Sequence, residues 1–323
     1  MLKKRATKKK KKKKMKTISK GPVLHRLIRD MSNGAYHGSA GTWSSSQFKD
    51  IIDDEDLFIR KHIKKQGEKI SSEAMDTGTY LHTGILEPHK LASEVAVFEG
   101  KTRYGKAWGI FKKKNEGKMI INTKQKELGD GMIRAVKASP TSMEYLEGEP
   151  EVSLFNKLLV SGGEIYAPFY GKILTLNGWE KAGKIPTKGF EMVVKTRADC
   201  LGETFISDLK STSGKATQAA SVRGSISKYK YDLSAALYLD MFSLARPDVS
   251  TFIWIFASKE NPMAAAWRAT EENIRIGRAK WSWAVKRLAD MSAAKFETVD
   301  YLRDAEPLHH EKEWLEQKLT DLL

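Results

Sequence analysis

The stretch from Phe190 to Lys210 constrains this chain more than any other segment. Phe190-Glu191-Met192-Val193-Val194-Lys195-Thr196-Arg197-Ala198-Asp199 reads as a strand, Gly202-Glu203 as a turn, and Thr204-Phe205-Ile206-Ser207-Asp208-Leu209-Lys210 as the returning strand. Side chains alternate along a strand, so Asp208 and Lys210 share one face, with Asp199 at the end of the neighbouring strand. Two converging carboxylates can hold a hard divalent cation through oxygen, and the lysine sets a positive charge near the water such a cation activates. That arrangement suits phosphodiester cleavage. The acid-x-Lys triplet is not selective by itself, since it recurs at Glu99/Lys101, Glu116/Lys118 and Glu316/Lys318. None of those has an acid eight to ten residues upstream at the end of an apolar strand.

The chain has 323 residues, 41% of them hydrophobic, enough for a substantial core. No run of eighteen apolar residues occurs, and the N-terminal lysines are not followed by an apolar segment. Neither a membrane span nor a secretory signal is expected, and the protein reads as cytoplasmic. Cys200 is the single cysteine, which excludes an internal disulfide and any multi-cysteine metal site; beside Asp199 in a strand it reads as a small buried hydrophobe. Of the formal net charge of +16, eleven positive charges fall within residues 1–16 with no acid among them, which leaves +5 for the remainder. Residues 1–20 therefore read as a disordered lysine-rich tail that attracts polyanions without sequence preference, and Met15 offers an alternative start. The tail points to a nucleic-acid partner and says nothing of catalysis.

Residues 21–300 read as one domain and 301–323 as a helical extension. Trp43 to Ile52 looks like a capped helix start, in which Ser44, Ser45 and Ser46 supply acceptors for free amides; Ser45 is also a candidate for contact with DNA. Ser71 to Glu87 reads as a helix closed before Pro88, with Gly78 and His82 four apart on one face, where glycine permits close approach of another element. The basic segment from Lys101 to Gly117 reads as a surface loop, and Lys124 to Ser139 as a helix ended by Pro140. Strands are expected at Glu151–Val160 and Glu164–Tyr170. The stretch from Gly171 to Gly189 is either a long hairpin tip or a flap near a ligand. Ile226 to Phe242 reads as one helix with a single apolar stripe, Thr251 to Ala257 as a strand covered on both faces, and Glu271 to Met291 as another helix. The order of elements suggests an α/β core with a mixed sheet.

With these pieces in order, the chain resembles the PD-(D/E)xK nuclease superfamily, and within it the exodeoxyribonuclease VIII or RecE-like branch of phages and prophages. The likeness runs from Trp43 to Met291. It rests on Gly78-x-x-x-His82, the strand acid Asp199, Asp208-x-Lys210, and a helix whose Gln-x-x-x-Tyr motif is met by Tyr238, with Ser234 where the glutamine would stand. Glu149-Pro150-Glu151-Val152-Ser153 resembles the family's acidic strand start more loosely. The resemblance implies a restriction-endonuclease-like fold with a central mixed β-sheet flanked by helices, and a Mg²⁺-dependent exodeoxyribonuclease, Mn²⁺ able to substitute. It implies metal ligation by Asp199, Asp208, His82 and, more remotely, Glu151. Lys210 would orient or deprotonate the attacking water or stabilise transition-state charge. Tyr238 would stand behind the site or face DNA, as would Thr212 and Ser213, which can instead cap the following helix. The implied partners are duplex DNA ends, a single-strand annealing or recombinase protein, and further copies of the chain in a closed ring. Two other readings stand beside this one: a single-strand or endonucleolytic nuclease subunit, and a DNA-binding protein whose nuclease site has decayed.

Overall fold

The computed structural model describes residues 23–66, 72–100 and 102–297. The tail at 1–20 and the extension at 301–323 lie outside these residues. Twelve strands occur among them: β1 Leu27–Ile28, β2 Thr42–Trp43, β3 Val95–Phe98, β4 Met119–Asn122, β5 Glu149–Ser161, β6 Glu164–Ala167, β7 Lys172–Thr175, β8 Gly178–Lys181, β9 Phe190–Leu201, β10 Phe205–Thr212, β11 Thr251–Ser258 and β12 Ala264–Arg268. Helices of nine residues or more are α1 Ser45–Asp53, α2 Glu73–Leu86, α3 Gly105–Lys114, α4 Thr123–Lys137, α5 Ala219–Lys228, α6 Tyr231–Ala245 and α7 Glu271–Ala293.

The main sheet runs β12-β11-β10-β9-β5-β6-β7-β8, with β1 and β2 added beside β5 and β9, and β3 and β4 form a separate pair. It is mixed, because β10 and β11 are parallel while β5, β9 and β10 are antiparallel to one another in turn. Parallel neighbours need a crossover, and α5 and α6 supply it between β10 and β11. β11 is buried along almost its whole length, as its unbroken apolar run requires, because helices cover both faces. One layer packs Leu233 and Leu237 of α6 and Trp281, Val285 and Leu288 of α7 against Phe252, Trp254 and Phe256. The other packs Leu81 of α2 with Met132 and Val136 of α4 against Leu209, Ile253 and Ile255. The architecture is the three-layer α/β arrangement with a central mixed sheet that the sequence suggests.

Several local expectations need correction. The segment expected as a loop between Lys101 and Gly117 contains α3, whose Trp108 and Phe111 pack edge-on and tilted against Phe98. Its three terminal lysines sit at the helix end that favours positive charge. The expected helix from Ile226 to Phe242 is two helices, α5 and α6, broken at Lys230, which adopts the left-handed conformation with φ 49°. The strand expected to reach Tyr170 stops at Ala167, because Pro168 opens a 3-10 turn. Of the two readings for residues 171–189 the hairpin holds: β7 and β8 extend the sheet three strands beyond β5, and the Trp179 indole donates to Asp240 O at 2.7 Å.

Glycines decide how closely two helix pairs approach. A Cβ added at Gly78 would meet Ser211 Oγ at an ordinary 3.5 Å, so close packing does not demand glycine there. The demand falls on Gly84 of α2 and Gly129 of α4, where a Cβ would come within 2.3 Å of Ile133 and Tyr80 respectively. On the other layer, a Cβ at Gly277 of α7 would stand 2.1 Å from Asp232 O of α6. Lys280 pairs with Asp232 at 2.8 Å beside it, and Arg278 grips Asp240 with two bonds of 2.7 and 2.9 Å. The Gly277→Ala variant is therefore expected to lose about 1–3 kcal/mol of stability, the usual cost of overpacking, read as a lower urea midpoint; an unchanged midpoint would show that α6 and α7 part without cost.

Candidate active site

The register of three adjacent strands builds the site. Pro150 pairs with Cys200 and Val152 with Ala198, which sets Glu151 of β5 opposite Asp199 of β9. On the other side Cys200 pairs with Ser207, and the Leu209 amide donates to Asp199 Oδ2 at 2.8 Å, so Asp208 of β10 follows in the same row. α2 brings His82 over this row, with Nδ1 3.4 Å from Asp199 Oδ2. Ligand atoms of His82, Glu151 and Asp199 all lie within 4.8 Å of one another. Glu151, the most remote candidate on sequence grounds, is thus a full member of the cluster. Its backbone is left-handed at φ 53°, an uncommon conformation for a residue with a side chain, and this turn out of regular strand geometry accompanies its position in the cluster.

Electrostatics at this row are strained by like charge. Burial pushes the Glu151 carboxyl up to about 7, with Asp199 adding to the rise and Arg197, 3.2 Å away, opposing it. Burial likewise pushes Asp208 up to about 6, against the pull of Lys210 and with the push of Asp199. Asp208 Oδ1 accepts from Lys210 Nζ at 2.6 Å, while Oδ2 is buried with no hydrogen-bond partner. Burial works against the charge on Lys210, but Asp208 and then Asp199 more than offset it and raise its pKa, so the ammonium form persists at neutral pH. Tyr238 of α6 lies behind the carboxylates with its side chain hydrogen-bonded to Ser45 of α1; burial, then Asp208 and Asp199, raise its pKa.

The remaining candidates are placed differently. Thr212 Oγ1 accepts from the Gly214 amide at 3.0 Å and shapes a turn, Ser213 is exposed, and Gln218 precedes α5, so neither residue caps that helix. Ser234 is buried in α6. Cys200 is buried, and its thiol is pushed up to about 11, burial being the main cause. Three participants escaped the sequence reading. Lys49 of α1 lies four residues after Ser45, hence on the same face, and its ammonium is pushed down to about 7 by burial and then by Lys210. Tyr231 is in contact with both lysines, each Nζ 5.3 Å from the ring centre. Arg197, two residues before Asp199 on the same strand face, braces Glu151.

This donor set fits a divalent cation. Carboxylate oxygens and one imidazole are the ligands such ions take, and the orphaned Asp208 oxygen with its proton-retaining neighbours marks charge that a cation would neutralise. Fold and site together define a domain of the PD-(D/E)xK nuclease type. The chain belongs to the family described as a PDDEXK-like domain of unknown function (DUF3799), whose model matches residues 44–164 and 167–302. It is also similar to the crystal structure of a protein from Eubacterium rectale, provisionally assigned as an exonuclease. That likeness has a TM-score of 0.53 at 14% identity and covers 84% of this chain and 89% of that one, which is a likeness of fold. No curated protein matches the chain.

Both raised carboxyls keep their protons in the fold at pH values where the unfolded chain has lost them. Stability of the cation-free protein should therefore fall as pH rises from about 4 through about 7, since the folded state binds more protons across that window. A bound cation pairs with the ionised forms and restores what is lost. The rise in melting temperature on adding Mg²⁺ is expected to grow between about pH 6 and about pH 8 in the parent and to stay small in the Glu151→Gln/Asp208→Asn double variant. Melting that ignores Mg²⁺ across this range would remove the cation from the site.

Proposed function

We propose that this chain is a Mg²⁺-dependent exodeoxyribonuclease, Mn²⁺ able to substitute, that degrades one strand of linear duplex DNA from an end and leaves single-stranded DNA. The observation that carries the reading is the convergence of His82, Glu151 and Asp199, whose ligand atoms lie within 4.8 Å of one another, with Asp208 next in the strand row and the Lys210 ammonium held against it. A cation held by those residues supplies positive charge for an incoming phosphate and lowers the pKa of water. The chain's own groups do the rest. Asp199 is fixed by the Leu209 amide, so its carboxylate does not swing when charge enters the site. Lys210, held against Asp208, is placed to stabilise negative charge growing on the phosphate oxygens or to orient the attacking water. Lys49, 5.3 Å from the centre of the same Tyr231 ring as Lys210, adds a second basic group beside the site.

End dependence and 5′ to 3′ direction come from the RecE-like resemblance, as do a ring of identical subunits, a single-strand annealing or recombinase partner, and a phage or prophage origin with action in the bacterial cytoplasm. Among the described residues no helix is long and apolar enough to cross a membrane. The clustering of His82, Glu151 and Asp199 beside the Asp208–Lys210 pair speaks for a working site over a decayed one.

The deciding experiment uses linear duplex labelled separately at each 5′ and each 3′ end, together with the same plasmid in supercoiled and linearised form. Digestion is expected only of linear DNA and only with Mg²⁺ or Mn²⁺; rapid nicking of the closed circle would favour the endonucleolytic alternative, and full activity in excess EDTA would exclude the metal. Asp208→Ala and Lys210→Ala are each expected to lower turnover by roughly a hundredfold or more while DNA binding survives. Variants that melt early yet keep their specific activity would make both residues structural. Removing residues 1–14 should weaken salt-dependent DNA affinity and spare turnover at saturating DNA, because a lysine block acts through counterion release.

A further inference from the structure

The break between α5 and α6 does something that a continuous helix cannot. Residues i and i+2 of a helix point roughly 200° apart at 3.6 residues per turn. Lys230, between Tyr229 and Tyr231, takes a left-handed conformation with φ 49° and ψ 47°, which costs a non-glycine residue energy. The break leaves the two flanking rings within 5.5 Å of each other at 31°. The Lys230 ammonium is itself occupied by Asp53 of α1, so its side chain is held away from the rings.

The pair leads from the surface into the site. Tyr231 is the inner ring, in contact with Lys49 and with Lys210, the lysine that binds Asp208. Tyr229 is the outer ring, 48% exposed, with the Lys228 ammonium 5.3 Å from its centre. Half-exposed aromatics are usually accounted for by packing on one side. Here the ring of Tyr231 packs on Tyr229, the Lys228 ammonium stands over it, and about half of the residue remains exposed to solvent. Rings interleaved with cations are the means by which proteins hold unpaired nucleotides, stacking on the base while the cations meet the phosphates.

We propose that Tyr229, backed by Tyr231 and with Lys228 over its ring, is a stacking platform for an unpaired base of the strand being cut, next to the phosphate at Lys210. This rests on the nuclease reading and adds to it the ring that holds the base beside the cut. Tyr229 is a positioning residue: it holds the nucleotide, and the carboxylates and Lys210 meet the phosphate.

The test uses a duplex with 2-aminopurine at the terminal nucleotide of the strand to be cut, in Ca²⁺ to suppress turnover, and the same duplex in Mg²⁺ to measure it. In the parent, the fluorescence that rises when the base unpairs is expected to be quenched by stacking, and Tyr229→Trp should keep that quench. Tyr229→Ala should leave the base bright and raise KM about tenfold, within the range that one base-aromatic stack contributes. Lys230→Gly, which removes the left-handed strain while permitting the same backbone, should quench like the parent. Equal quench and equal KM in Tyr229→Ala, with its melting temperature unchanged, would overturn the platform while the parent's Mg²⁺-dependent cleavage leaves the nuclease reading standing. A parent that neither binds nor cleaves the duplex would overturn both.

Discussion

Repulsion between carboxylates on neighbouring strands is the constraint around which this protein is arranged. Glu151, Asp199 and Asp208 occupy one row across β5, β9 and β10, where strand spacing leaves them no room to separate. Each is held by a different device. Asp199 takes a backbone amide, Asp208 takes Lys210, and Glu151 takes Arg197 and a left-handed backbone. Two of the three carboxyls hold protons towards neutral pH, chiefly because they are buried, with the charge on Asp199 adding to the rise. A site left short of positive charge by its own protein is poised to draw it from outside, first as a cation and then, once that is bound, as a reason for phosphate to approach.

Much of this was legible because it is periodic. The hairpin of β9 and β10, the two-sided burial of β11 and the helical spacing in α2, α4 and α7 all follow from patterns a few residues long. What was not legible depends on partners far along the chain. α3 looks like a basic loop until Phe98 is there to receive Trp108 and Phe111. Nothing near Lys230 announces a helix break, since neither glycine nor proline occurs there; the left-handed turn is imposed by how α5 and α6 dock. Glu151 ranked low as one strand acid among many, and only the β5–β9 register, a relation between residues 48 positions apart, sets it opposite Asp199. Lys49 was the more discoverable omission, because its spacing from Ser45 places both on one face of α1. Which way that face points is tertiary information.

The two helical layers serve the site unequally. α6 and α7 are locked by buried ion pairs and by the contact at Gly277, and they hold Tyr238 behind the carboxylates. α2 and α4 meet through small residues and supply the one imidazole. In that division the sheet and the α6–α7 layer fix the anionic half of the site, whereas the position of its nitrogen donor is set by a separate helix pair.

That separation bears on how such an enzyme can diverge. The height of His82 above the strand row is governed by the seat of α2 on α4, where Gly84 receives Ile133 and Gly129 receives Tyr80. Exchanging Ile133 for a smaller or larger neighbour would act as a shim, lowering or lifting the imidazole while the three carboxylates stay in place. For the cation proposed above, α4 would thus offer a route to retune ion preference through residues remote from the site, leaving the carboxylates untouched.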